Sequence, residues 1–364
     1  KMVLHHGVDL VLELPTLYAC QTAELFAAGA VGLLHQTGLV THLAFGSEYD
    51  DLNNLNKMAT IIADEPYEYK KLLNSSLNEG LSFPHARSNA LKEYILNFLN
   101  DKTLPSHIIH NILIGSNSIL ALEYLKSLRR LKSPIRPIII PRVGSSYNNQ
   151  DMEGAFSSAT SIRNVLISNK KEQDLGSALP DKSLEILNEA SFSGRGPVSL
   201  NSYDQLLLGL IRRSTPEQIA TWMDVEEGLE NRIKEYARKA STVEELLIQT
   251  KTKRYTYTRL QRILIHGLLG ITTSQVSVFL DLGHPPYLRI LGFNNSSTAL
   301  LKQLKERSRI PIITKPADYY RHQDPYINAM FQLEVLASDM YCLGFPQAKE
   351  RIGGQEFTQG IAII

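Results

Sequence analysis

VDLVLELPTLYACQTAELFAAGAVGLLHQTGLVTHLAFG, residues 8–46, decides the fold class. VDLVLEL at 8–14 and THLAFG at 41–46 are apolar runs of strand length, and the alanine-rich stretch between them is long enough for a helix. Strand, helix, strand is the signature of a parallel sheet, because parallel neighbours need a long crossover connection. Working outward, IRPIIIP at 135–141 reads as a further strand, fed by an amphipathic helix over SILALEYLKSLRRL at 118–131. The segment 52–104 is a mostly helical insertion with a turn at 80–84. SFSGRGPVSLNS, 191–202, is rich in Gly, Ser and Pro and marks a linker. Beyond it the pattern predicts helices near 203–213, 224–238, 243–267 with a break at the threonines, and 326–343, with short strands at 287–293 and 310–314. The expected architecture is α/β, a doubly wound parallel-sheet (Rossmann-like) domain over 1–190, followed by a mainly helical domain over 203–364.

The 364 residues are 43% hydrophobic and 21% charged, enough for two or three buried cores. A formal charge of +1 gives no global field toward nucleic acid or membrane, so any such preference must come from local patches. Two distant cysteines, Cys20 and Cys342, argue against a disulfide framework and for a reducing, cytoplasmic setting. No apolar run reaches the roughly 18–20 residues that cross a bilayer. The ten histidines lack metal-ligand spacing, and no protein metal site is expected.

GAFSSATSIRN, 154–164, crowds hydroxyls and one arginine just before an apolar run. Ser and Thr oxygens accept from the orphan amides of a first helical turn, so a helix is expected to begin near Ser158 or Ala159. Arg163 opposes the positive end of that helix unless an anion sits there. Amides, hydroxyls and a guanidinium converging on one point describe a phosphate site. In open parallel sheets ligands lie at the carboxyl ends of the strands, which brings in Gly46 after THLAF, Asn117 at the start of the 118–131 helix, and Arg142 followed by Gly144, Ser145 and Ser146.

These stretches carry a resemblance. SSATSIR resembles the S/T-S-T-x-I-R signature of nucleotidyltransferases with an HxGH motif on the first strand-helix turn. Taken in order, KMVLHHGVDLVLELPTLYACQTAELFAAGAVGLL, FGSE, NSILALEYLKSLRRL, SSATSIRN, KTKRYTYTRLQRIL and YLRILGFN resemble the tRNA(Met) cytidine acetate ligases over nearly the whole chain. The resemblance implies a nucleotidyltransferase fold that adenylates acetate with ATP and transfers acetyl to N4 of the wobble cytidine of elongator tRNA(Met). It implies ATP binding by Gly46, Asn117, Arg142, Ser158, Thr160 and Arg163. Mg2+ is compatible with the ATP phosphates, although no carboxylate pair demands it. The HxGH turn itself is not found in these residues, and His5-His6-Gly7 precedes what reads as a second strand. A first βα unit of about 30 residues is therefore expected ahead of Lys1, and without it weak ATP binding and little adenylation are expected. No catalytic base is assigned; Asp9, Glu13 and Glu48 are acidic candidates near strands, and for each a structural role is the better reading.

KTKRYTYTRLQRILIHGLL, 251–269, carries Lys251, Lys253, Arg254, Arg259 and Arg262 with Tyr255 interleaved and no acid. Read as a helix from about Thr256, it turns Leu260, Ile263, Leu264 and Leu268 to the core and sets Arg259 and Arg262 near Tyr255. Cations for phosphates and ring faces for splayed bases suit single-stranded RNA; a solvated helix face is the plainer alternative. Arg195, Arg212 and Arg213 are secondary candidates. Two other classes stay open: an adenylyltransferase acting on a small nucleotide or phosphopantetheine, and a nonenzymatic RNA-binding protein.

Overall fold

A computed structural model describes residues 1–81, 83–99, 104–142, 157–168, 175–226 and 228–364. The chain divides into two compact units, one made of Thr22–Val143 and one of Lys1–Gln21 together with Gly144–Ile364. Gly144, Ser145, Ser146 and the first three residues of GAFSSATSIRN lie outside the described residues.

The chain opens in the second of these units with β1 (Leu10–Leu12) and α1 (Thr16–Ala19). It then builds the other unit from α2 (Ala23–Gln36), β2 (His42–Ser47), α3 (Leu52–Asp64), α4 (Tyr67–Asn78), α5 (Phe83–Asn97), α6 (Ser106–Ile114), α7 (Ser116–Arg130) and β3 (Arg136–Pro141). The predicted strands at 41–46 and 135–141 are present and pair in parallel, from His42↔Arg136 to Ser47↔Pro141. The predicted insertion is helical, beginning where the Asp51 carboxylate caps α3 by accepting from the amides of Asn53 and Asn54. Leu55, Met58, Leu91, Ile112 and Leu122 pack into its core at 0–1% exposure. One buried acid ties the helices together: Glu123 accepts from Arg87 at 2.9 Å and pairs with Lys126, which also reaches Glu24 on α2 at 2.7 Å.

The run at 8–14 is a strand, but not one of that parallel pair. β1 is three residues long and lies antiparallel to β4 (Leu288–Phe293), which also pairs in parallel with β5 (Ile312–Ile313) and β6 (Ala362–Ile363). Side chains at both ends hold the pairing. Glu13 donates its amide to Arg289 O and takes the Arg289 guanidinium on its carboxylate at 3.0 and 3.2 Å, while Ser297 Oγ donates to Asp9 Oδ1 at 2.5 Å. A residue slip between Val11 and Leu12 lets the register pass Gly292, where a Cβ would lie 2.9 Å from Leu4 and from the Ala362 carbonyl. The first 21 residues therefore belong with the C-terminal part of the chain rather than with 22–143.

The rest of this unit is mainly helical: α8 (Ala159–Ser168), α9 (Asp181–Phe192), α10 (Asp204–Arg213), α11 (Pro216–Ala220), α12 (Leu229–Lys239), α13 (Val243–Thr250), α14 (Tyr257–Leu269), α15 (Thr273–Leu282), α16 (Thr298–Arg307), α17 (Pro325–Cys342) and α18 (Gln355–Thr358). The helix expected from 224 begins only at Leu229, because Asp224 (φ 71°) and Gly228 (φ 81°) are left-handed. Leu207, Ile211, Ile233, Val243, Leu260 and Ile263 form its core. Several cations are spent on helix ends: Arg212 donates to Ala237 O and Ala240 O, Arg232 to Gln249 O and Thr250 O, and Lys234 to the carbonyls of Ile211, Arg212 and Ser214. Among the described residues no single helix is long and apolar enough to cross a membrane.

Candidate functional site

In the 22–143 unit, the carboxyl end of β2 and the start of α7 meet through Glu48. Its Oε1 accepts from the Asn117 amide (3.1 Å) and from Asn117 Nδ2 (2.7 Å), and its Oε2 accepts from the Ser118 amide (2.7 Å) and Ser118 Oγ (2.8 Å). Burial alone would raise the pKa of this carboxyl, but the hydrogen bonds from Asn117 and Ser118 outweigh it and hold it at about 2. Ser47 Oγ lies 3.2 Å from Ser118 Oγ and closes the cluster from beneath. The amides that begin α7 are thus already matched to an anion, the protein's own carboxylate. Asn117 has its Nδ2 committed inward, so its Oδ1 is the atom left to accept from a ligand donor such as a ribose hydroxyl or an adenine amine.

Gly46 is exposed on β2, and a Cβ there would meet Arg142 Cγ at 3.8 Å, so this glycine and the Arg142 side chain are neighbours. The Arg142 amide donates to Ser47 O at 3.1 Å, continuing the β2–β3 pairing one step past the strand end. The structure therefore gathers Gly46, Asn117 and Arg142 around one strand-end cluster.

α8 begins at Ala159, as the hydroxyl-rich stretch predicts. Ser158 is buried at 4% exposure and its Oγ caps the helix by accepting from the Ser161 amide at 3.0 Å. Its hydroxyl faces its own helix. Thr160 and Arg163 form the outward pair, with Arg163 Nη2 donating to Thr160 Oγ1 at 3.1 Å. These three residues belong to the other compact unit from Gly46, Asn117 and Arg142.

The basic stretch folds as predicted, with Thr256 capping α14 and Leu260, Ile263 and Leu264 buried at 0–2%. Its charges divide into two groups. Arg259 donates to Asp224 O (2.8 Å) and Glu226 (3.3 Å), and Arg262 pairs with the Asp224 carboxylate (3.1 Å). Lys251, Lys253 and Arg254 stay exposed. Tyr255, expected to offer a stacking face, is only 8% exposed: its hydroxyl donates to Glu226 O at 3.2 Å and the Arg259 guanidinium lies 5.5 Å from its ring. Arg195 lies beside Ser193 (3.1 Å) and Glu350 (3.7 Å). Among the described residues no group of three or more His, Cys, Asp or Glu side chains is placed to hold a metal ion.

A family profile described as HIGH Nucleotidyl Transferase matches residues 1–356. A tRNA(Met) cytidine acetate ligase of Acetivibrio thermocellus is 43% identical over 367 residues, covering 100% of this chain and 86% of the relative. The chain belongs to the tRNA(Met) cytidine acetate ligase family. Its counterpart in Clostridium kluyveri is 42% identical over 346 residues, 94% of this chain and 81% of that protein. The fold agrees: the crystal structure of apo Thermotoga maritima TmcAL superposes with a TM-score of 0.94 at 34% identity, covering 100% of this chain and 86% of that one. TmcAL bound with alpha-thio ATP superposes with a TM-score of 0.91 at 33% identity, covering 99% and 85%.

For this acetate ligase family member, the residue that sequence reasoning passed over is Glu48. It stood among acids near strands with no assigned task, whereas it orders Asn117. The signal was present: a strand ending in Gly-Ser-Glu and a helix beginning Gly-Ser-Asn-Ser supply one anion and several amides for it.

Proposed function

We propose that this chain activates acetate with ATP and passes the acetyl group to N4 of the wobble cytidine of elongator tRNA(Met), in the cytoplasm. The observation that carries this reading is 43% identity across the whole chain to a protein named for that reaction, supported by the close superposition on a relative holding an ATP analogue. In this reading Gly46, Asn117, Arg142, Thr160 and Arg163 contact ATP, whose phosphates would be compatible with Mg2+, and Ser158 orders the start of α8 that carries Thr160 and Arg163; Lys251, Lys253 and Arg254 form the RNA-facing part of a segment whose Tyr255, Arg259 and Arg262 are held by Asp224 and Glu226.

The chemistry accounts for the cations. Acetate must approach a polyanion, so Arg142 and Arg163 neutralise charge as the acetate oxygen attacks the α-phosphorus and pyrophosphate leaves. Cytosine N4 is a weak nucleophile because its lone pair is delocalised into the ring; a mixed anhydride gives it an acyl group reactive enough to take, with AMP leaving. The test is incubation with ATP, labelled acetate and purified tRNA. Acetate-dependent ATP/pyrophosphate exchange and labelled N4-acetylcytidine are expected. Adenylyl transfer to a small nucleotide or phosphopantetheine, with no acetate-dependent exchange, would overturn the reading.

A further inference from the structure

Which end of an asparagine amide faces outward is decided by its hydrogen-bond network, and at Asn117 that network leaves one answer. Glu48 is a carboxylate and can only accept, and its Oε1 takes Asn117 Nδ2 at 2.7 Å. Turning the amide over would set Asn117 Oδ1 against Oε1, acceptor against acceptor. The carboxylate is itself fixed, because Oε1 also takes the Asn117 amide and Oε2 takes the Ser118 amide and Ser118 Oγ. With its one proton spent on Glu48, Ser118 Oγ accepts from Ser47 Oγ at 3.2 Å, and Ser47 Oγ accepts from the Tyr49 amide at 3.1 Å. The protons therefore run in one direction, from Tyr49 through Ser47 and Ser118 to Glu48. Both serines are fully buried, so water does not reverse the order. The Tyr49 hydroxyl accepts in turn from Asn54 Nδ2, which also donates to the Asp51 carboxylate that caps α3.

We propose that Glu48 is a specificity-determining positioning residue: it makes Asn117 a fixed acceptor, so that a ligand must place a hydrogen-bond donor there, an amine or a hydroxyl. The proposal rests on the reading above in which Asn117 contacts the nucleotide. A free asparagine rotates to suit either a donor or an acceptor. Asn117 has lost that choice, and the loss is due to Glu48 rather than to Asn117 itself. An adenosine nucleotide carries suitable donors in two places, the exocyclic amine of its base and its ribose hydroxyls, which share this chemistry. A 6-oxo purine sets a carbonyl oxygen where the amine would stand, and a deoxyribose offers nothing in place of the hydroxyl.

The experiment measures direct binding of ATP, inosine triphosphate, 2′-deoxy-ATP and 3′-deoxy-ATP to the wild-type protein. One analogue is expected to bind about tenfold more weakly than ATP, the worth of one hydrogen bond and an acceptor left unmatched, and its identity names the donor. Equal affinity for all four overturns the proposal. In Glu48→Gln the side chain presents both a donor and an acceptor, Asn117 can turn over, and the gap is expected to shrink to about twofold or less. Asn117→Ala, which removes the acceptor without touching the Glu48 contacts to Ser118, should bring ATP down to the level of that analogue. A gap that persists in either variant, with the melt showing a folded chain, overturns the proposal. Binding needs neither acetate nor RNA. Absence of acetate-dependent ATP/pyrophosphate exchange would refute the ligase reading and leave this comparison standing.

Discussion

A Cβ on Gly115 would lie 2.9 Å from Glu48 Oε2 and 3.1 Å from Ser118 Oγ. A free carboxylate would swing aside, but this one is fixed by four hydrogen bonds to Asn117 and Ser118. Gly115→Ala is therefore expected to expel Glu48 from the start of α7, cost about 1–2 kcal/mol as a lost cap, and weaken ATP binding through Asn117; denaturant melts and ATP titration check both. The same carboxylate sets an acid limb. With its pKa depressed to about 2, the stability it contributes is fully present above the ordinary value of 4.5 and is lost as pH falls from there through about 2. Glu48→Gln should flatten that limb, and an unchanged acid profile would show that Glu48 does not cap α7. Arg163 makes a different case. It is exposed and its hydrogen bond goes to Thr160, so Arg163→Ala is expected to leave the melting curve in place and reduce ATP affinity by about ten- to a hundredfold, the worth of a charged hydrogen bond.

At the scale of elements, what the sequence made legible is what local chemistry decides. The α8 start, the Thr256 cap of α14 and the strands at 41–46 and 135–141 follow from hydroxyls before apolar runs and from strand-length apolar segments. The α14 period also sorted Leu260, Ile263 and Leu264 to the core. What it could not sort was which cations solvent keeps. Arg259 and Arg262 meet Asp224 and Glu226, acids more than 30 positions earlier, and Tyr255 is covered by the same contact. Helical periodicity holds no information about a partner on another element. Lys251 and Lys253 are exposed, and under the proposed RNA-facing reading they are the ones to carry phosphate contacts. Replacing both with alanine is expected to reduce the slope of log affinity for tRNA against log salt by about 1.4, two single-strand phosphate contacts, with no change in the melt. An unaltered slope would place the RNA elsewhere.

For the whole molecule, the pairing of β1 with β4 joins residues near the two ends of the sequence, and no window of the sequence reports it. The run at 8–14 reads as a strand but names no neighbour, so its grouping with 41–46 followed from adjacency alone. The long-range pairing has a titration attached. It brings Glu13 to Arg289 and Glu356, and α1 brings Thr16 to Glu334, with the Tyr287 ring beside both acids and its own pKa pushed well above the ordinary value by burial. Burial raises the carboxyl pKa values of Glu13 to about 7 and Glu334 to about 8. Between the ordinary value of 4.5 and those raised values the folded chain holds protons that the unfolded chain has released. Stability from these groups is therefore fully present below about 4.5 and is lost as pH rises through about 7 and about 8. The melting temperature should fall as pH is raised from mildly acidic to mildly basic, opposite in direction to the Glu48 limb and in a separate window. Glu334→Gln, which keeps the shape and removes one titrating proton, should shallow this fall. A wild-type melting temperature that is flat or rising across that window would mean that both carboxyls are ionised in the folded chain, and that Arg289 alone is enough to hold them.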